Sequence, residues 1–117
     1  MSNFATLLEH EDQTSVYFNI ESAEVMAIGD QMAAINEQAY MNGYNWEAFL
    51  NRYLQVHHPE LLEGLDTDPE AGAYIALYDK PDEGKAARLT AIINGLINSP
   101  DSTYSFLKEN GEEIEWD

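Results

Sequence analysis

The sequence predicts a single α+β domain, an antiparallel sheet built from two β-hairpins with three to four helices packed as a single layer on it. Three observations carry that prediction. Two pairs of short apolar, β-branched and aromatic runs are each divided by turn residues, and apolar side chains recur every three or four residues in the segments between and after them. No cysteine is present, so a hydrophobic core must do the work of folding, and 117 residues suffice to bury about two-thirds of the unfolded surface.

The first hairpin is expected over residues 4–9 and 15–20, with Glu11-Asp12-Gln13 as polar turn material. Ser22 offers an N-cap, and Val25, Ile28, Met32 and Ile35 at i, i+3, i+7 and i+10 predict an amphipathic helix from about 23 to 38. Its far face would carry Glu24, Asp30 and Glu37. Asn42-Gly43 marks a turn, after which Asn45 can cap a helix whose Trp46, Phe49, Leu50, Tyr53 and Leu54 share one stripe. Pro59 stops that helix at His58.

Residues 65–67 and 73–78 predict the second hairpin, joined by the turn Asp68-Pro69-Glu70-Ala71-Gly72. A long helix follows from about 82 to 98, where Ala86, Leu89, Ile92, Ile93, Leu96 and Ile97 form a wide apolar face. Ser99-Pro100 reads as an N-cap followed by Pro at the first helical position, opening a short helix with Tyr104 and Leu107 that ends near Gly111. In Glu113-Ile114-Glu115-Trp116-Asp117 acids alternate with two large apolar residues, the pattern of an edge strand or of a docked tail.

Charge is the strongest functional signal. Twenty-two Asp and Glu stand against five Lys and Arg, a formal charge of -17, and the first base is Arg52. The acidity is spread evenly, with nine acids and one base in residues 1–60 and thirteen acids and four bases in residues 61–117. A chain so poor in cations cannot displace counterions from a phosphate backbone, so nucleic acid and anionic membrane are both unfavourable partners. A basic protein, in contrast, is attracted over a Debye length or more and its association accelerated. The 44% hydrophobic content and the aromatic residues exclude a disordered acidic tail. A cysteine-free chain suits a reducing compartment, Met1-Ser2-Asn3-Phe4 has no signal-peptide character, and no apolar run approaches the roughly 18 residues that span a bilayer. A cytoplasmic monomer without cofactors is expected.

Catalytic and metal motifs are weak. His57-His58-Pro59-Glu60 brings imidazoles near a carboxylate, but adjacent helical residues point roughly 100° apart, and two histidines in a last helical turn are explained by the helix dipole. His10-Glu11-Asp12 falls in a solvated turn. Asp66, Asp68 and Glu70 open like a calcium loop yet lack the glycine at position six and the glutamate at twelve. Glycines occur singly, without a phosphate-cradling loop, and Ser2, Ser15, Ser22, Ser99, Ser102 and Ser105 read as caps and loop residues rather than nucleophiles. No enzymatic activity is expected.

The segment Gly43-Tyr44-Asn45-Trp46-Glu47-Ala48-Phe49-Leu50 is distinctive, as are Tyr53-Leu54, Pro59-Glu60-Leu61 and Asp68-Pro69-Glu70-Ala71-Gly72 after it. These runs resemble the Imm51 family of bacterial immunity proteins, in which a G-Y-[DN]-W-E motif opens a helix, a P-E-L segment follows, and a D-P-E-A-G turn leads into a strand and a long helix. The resemblance spans about residues 1–98 and leaves the segment after Pro100 unassigned. It implies an antidote that binds and blocks a cognate toxin domain, and many such toxins are basic nucleases; an acidic mimic of nucleic acid, or an adaptor for a basic host protein, is the alternative. Gly43, Tyr44, Trp46, Glu47 and Phe49 are expected to serve mainly the fold. Partner contacts are expected from acids of three exposed segments: Glu11 and Asp12; Asp66, Asp68 and Glu70; Glu112, Glu113 and Glu115.

Overall fold

Alternation along the strands decides how the sheet is faced. In the computed structural model, which describes residues 3–117 and of Glu83 only the backbone, strand β1 (Ala5–Glu9) pairs antiparallel with β2 (Gln13–Asn19), Ala5 opposite Phe18 and Glu9 opposite Thr14. Met1 and Ser2, part of the N-terminus read above, lie outside the described residues. The second hairpin joins β3 (Asp66–Thr67) to β4 (Ala73–Asp79), and β2 pairs antiparallel with β4 along its whole length. The order β1-β2-β4-β3 therefore fuses the two hairpins into one antiparallel sheet. Side chains alternate, so Val16, Phe18, Tyr74, Ala76 and Tyr78 enter the core from one face, and all five are shielded from solvent.

Helices α2 (Gly43–His57) and α3 (Glu83–Asn98) lie on that face, and α1 (Ala23–Ile35) and α4 (Pro100–Asn110) pack on the helices, confirming the α+β class. α3 lies across β1, β2 and β4, α2 lies against β4, α1 packs on α3 and α4, and α4 also packs on α2 and α3. Short 3-10 turns at Pro59–Leu62 and Lys80–Asp82 make the connections into and out of the second hairpin. A chain of edge-to-face rings links the layers: Phe18 to Trp46 at 5.2 Å between centroids, Trp46 to Phe49 at 5.7 Å, and Phe49 to Phe106 at 5.5 Å. Strand β1 is clamped at its start, where the Phe4 and Ala5 amides donate to Asn94 Oδ1 and Asn94 Nδ2 donates back to the Ala5 carbonyl.

Several local expectations are corrected. β2 begins at Gln13 rather than Ser15, because the His10 amide closes the turn on the Gln13 carbonyl at 2.8 Å and Thr14 already pairs with Glu9. α1 stops at Ile35: Asn36 adopts extended backbone and its Oδ1 accepts the Gln38 amide, an Asx turn that outcompetes further helix. Ser22 and Ser99 occupy N-cap positions, but neither side chain makes a capping bond. The cap of α2 is Asn42, whose Oδ1 accepts the Asn45 amide at 2.9 Å; Asn45 itself lies inside the helix. Residues 113–117 form no strand. They are the docked alternative, with Ile114 buried and the Trp116 indole N–H donating to the Gly111 carbonyl at 3.2 Å.

Gly43 explains why α2 starts where it does. A Cβ there would stand 1.7 Å from the Glu70 carbonyl oxygen and 2.3 Å from that of Ala73, and the Gly43 amide donates to the Ala71 carbonyl at 3.0 Å. The helix start is thus seated against the 68–72 turn with no room for a side chain. Gly43→Ala should destabilise the fold by about 3 kcal/mol or more, because rigid backbone stands in the way. Urea denaturation measures this, and a loss under about 1 kcal/mol would mean that helix and turn can part cheaply.

Two buried tyrosines make a contrasting pair. The Tyr78 hydroxyl donates to the buried Leu61 carbonyl at 2.6 Å, whereas the Tyr74 hydroxyl has no hydrogen-bond partner among the described residues. Tyr78→Phe should cost about 1–3 kcal/mol and Tyr74→Phe less than about 0.5 kcal/mol in the same denaturation assay. Burial pushes the Tyr78 phenol up to about 12. Its contribution to stability is therefore complete below pH 10, where the unfolded phenol is still neutral, and is lost as the pH climbs through about 12. Tyr78→Phe should flatten the alkaline limb of the stability profile, leaving the part due to Tyr74, whose phenol burial also raises.

Candidate functional site

Helix α2 presents two faces to different surroundings. Trp46, Phe49, Leu50 and Leu54 enter the core, while Tyr44, Glu47, Ala48, Asn51, Arg52 and Gln55, at the same helical period, form one wall of a groove of about 880 Å³. Leu62, Leu65 and Thr67 make the wall opposite, and Glu113, Glu115, Trp116 and Asp117 close the side. Three separate stretches of chain meet here because two polar contacts bring them together. The Thr67 hydroxyl donates to the Glu47 carboxylate, tying β3 to α2. Asn45 does the same for the C-terminal segment: its Nδ2 donates to the Tyr40 carbonyl at 2.8 Å, and its Oδ1 accepts the Asp117 amide at 2.7 Å.

Four carboxylates, Glu47, Glu113, Glu115 and Asp117, line the groove against one guanidinium. Arg52 is turned to neutral acceptors, donating through Nε to Asn110 Oδ1 at 3.2 Å and through Nη1 to Gln55 Oε1 at 3.3 Å. Among the described residues the side chains of Glu113, Glu115 and Asp117 have no ion-pair partner. A concave surface on which carboxylates outnumber the one guanidinium in this way concentrates a negative field and draws in cations.

All eight acids named from the sequence are exposed, but they do not form one site. Glu113 and Glu115 line the groove, and Glu112 lies beside it in the turn after α4. Glu70 sits in the 68–72 turn, bridged to Ala73. Asp66 lies in β3 and Asp68 just past its end, and Glu11 and Asp12 cap the β1–β2 hairpin, where the Asp12 carbonyl accepts the Lys80 amide. The motif residues divide as well: Gly43, Trp46 and Phe49 are buried in the fold, while Tyr44 and Glu47 line the groove. Tyr44, Asn51, Gln55 and Asp117 were absent from the sequence-based contact set. For the three on α2 the signal was the half of the helical period that faces away from the core, spaced 44, 47, 48, 51, 52 and 55; Asp117 lies outside that helix and had no such signal.

The histidines lie apart from the groove. His57 lies tilted against Tyr53 with ring centroids 4.7 Å apart, His58 faces Glu60 at 4.0 Å, and His10 Nε2 is 2.9 Å from Ser15 Oγ. Glu60 is hydrogen-bonded by the Arg88 guanidinium, which holds its carboxyl below the usual carboxylate range. Among the described residues, no cluster of three or more His, Asp and Glu side chains is arranged to hold a metal, and no helix is long and apolar enough to cross a membrane.

The family model of immunity protein 51 (Imm51) matches residues 5–111. That span runs from β1 through α4, so it includes the helix after Pro100 that the motif resemblance had left unassigned. No curated protein and no solved structure matches the chain.

The groove depends on Asn45 holding its open side. Asn45→Ala removes both of the side chain's hydrogen bonds and should cost about 1–3 kcal/mol. It should also free residues 114–117, seen as faster amide exchange there than in the wild type. Unchanged exchange would show that Ile114 and Trp116 alone hold the segment.

Proposed function

The chain belongs to the immunity protein 51 family, and from that premise we propose that it binds a cognate bacterial toxin domain, a basic nuclease, and neutralises it stoichiometrically in the cytoplasm. The family carries the immunity role. The observation that supports the nuclease reading is the groove, where carboxylates without ion-pair partners stand ready for Lys and Arg. A nuclease cleft is basic because it must hold phosphates, and an inhibitor that presents carboxylates in their place competes for the same cations. Contacts to the toxin's catalytic cleft would then block substrate directly. Such a role asks nothing of a cofactor, and it draws on charge twice: at long range to raise the encounter rate, and at contact through charge-assisted hydrogen bonds.

The test is binding to the toxin domain encoded beside this chain, followed by stopped flow from about 50 to 500 mM salt. The association rate should fall steeply with salt. The combined variant Glu113→Gln, Glu115→Gln, Asp117→Asn should lower the low-salt rate about tenfold and reduce the slope. A rate that is flat across the range removes steering from the mechanism, and inhibition of several unrelated nucleases would point to a general nucleic-acid mimic instead.

A further inference from the structure

The helices cover one face of the sheet and leave the other open. Register places Thr6, Leu8, Ser15, Tyr17, Ile75 and Leu77 on that outer face, with Tyr17 between Thr6 and Ile75, and Ser15 between Leu8 and Leu77. Leu8 is 44% exposed and Tyr17 39%, Ile75 and Leu77 are half-buried, and Ser15 between Leu8 and Leu77 is buried with its hydroxyl 2.9 Å from His10 Nε2, so the face carries four apolar side chains around one covered polar pair. Around it the charge is one-sided. Asp66 lies opposite Leu77 on β3, and Asp68, whose amide donates to the Ile75 carbonyl, continues that margin. Glu11, Asp12 and Asp79 stand at the hairpin end, with Lys80 as the adjoining base.

An apolar centre inside a charged margin has the anatomy of a protein interface. Strands of five, seven, seven and two residues, about 4.8 Å apart and rising about 3.3 Å per residue, give a face of about 330 Å². A standard interface takes about 800 Å² from each partner. The face supplies about two-fifths of that, and the remainder must come from its surroundings, which are acidic. A second copy of the chain would bring like charge against like charge. A basic surface would find complementary charge at the margin and a flat apolar seat within it.

We propose that the open face of the β1-β2-β4-β3 sheet is a docking surface for a basic protein, the toxin, with Tyr17 as its central anchor and the Asp66–Asp68 and Glu11–Asp12 margins meeting Lys and Arg. This rests on the immunity reading for the partner's identity. The face adjoins the groove across β3, whose Thr67 lines the groove while Asp66 turns to the open face, so one partner can engage both.

The experiment measures binding of the cognate toxin to the full chain by calorimetry and surface resonance, with hydroxyl-radical labelling of the complex. Tyr17→Ala and Leu8→Ala should each weaken Kd about ten- to a hundredfold, chiefly through faster dissociation. Asp66→Asn with Asp68→Asn should slow association about three- to tenfold at low salt. Labelling of Leu8 and Tyr17 in the wild-type chain should fall on complex formation, a readout that needs no variant to fold. If labelling is unchanged and both alanine variants bind within twofold while the groove variant weakens, the face is not the docking surface and the immunity reading stands. If the wild-type chain does not bind that toxin, the immunity reading falls and the partner assigned to this face falls with it. A wild-type dimer in sedimentation that Tyr17→Ala dissociates would make a second copy the occupant and overturn the proposal.

Discussion

Close approach of one backbone to another, at the point where α2 begins, governs how the rest of the chain is arranged. Gly43 touches the carbonyls of Glu70 and Ala73, so the helix and the 68–72 turn are held in one relation. From that point the helical period does the rest. Three residues on, Trp46 reaches Phe18 in the sheet; four on, Glu47 reaches Thr67; two on, Asn45 reaches both the Tyr40 carbonyl and the amide of Asp117. The G-Y-N-W-E and D-P-E-A-G runs, separated by twenty residues in sequence, are two sides of the same contact. Their pairing is a packing requirement first, and the groove wall is built from what the packing leaves outside.

Much of this was legible beforehand. Both hairpins, the long helix after residue 82 and the α4 start at Pro100 followed from alternation, period and proline chemistry, since each signal is local and no distant residue competes with it. The failures share a cause. Asn42 and Asn45 are equally good caps by type, and only the 68–72 turn, brought in from elsewhere, decides between them. Alternation over residues 113–117 fits a strand or a docked segment equally well; a side-chain oxygen from α2 takes the amide of Asp117, and no strand forms there. The groove was hidden for the same reason. Its acids come from α2 and from the C-terminal segment, and nothing in the order of residues says that these meet.

The charge is managed by geometry. Seventeen net charges over 6346 Å² amount to one per about 370 Å², a mean spacing of roughly 19 Å and about twice the Debye length at physiological salt. Most of the self-repulsion is therefore screened, and the compact state tolerates it. Among the described residues the interior takes no share: the buried polar residues are Thr14, Ser15, Asn45 and Thr103, none of them charged. Where acids do gather, in the groove and along the sheet margin, they lie on surfaces that no helix covers, and there a partner gains most from them.

The clamp that Asn94 places on β1 has a colloidal consequence. It satisfies the strand's free edge at Phe4 and Ala5 only, and from Thr6 to Glu9 the outermost strand remains available for pairing, with Leu7 and Leu8 beside it. Such an edge invites another copy to add a strand. What keeps copies apart is the negative charge, and under the proposed function the same carboxylates would attract a basic partner, so solubility and recognition would draw on one reservoir. Near pH 4, close to the sequence isoelectric point of about 4.1, the net charge vanishes and with it the repulsion that guards the edge.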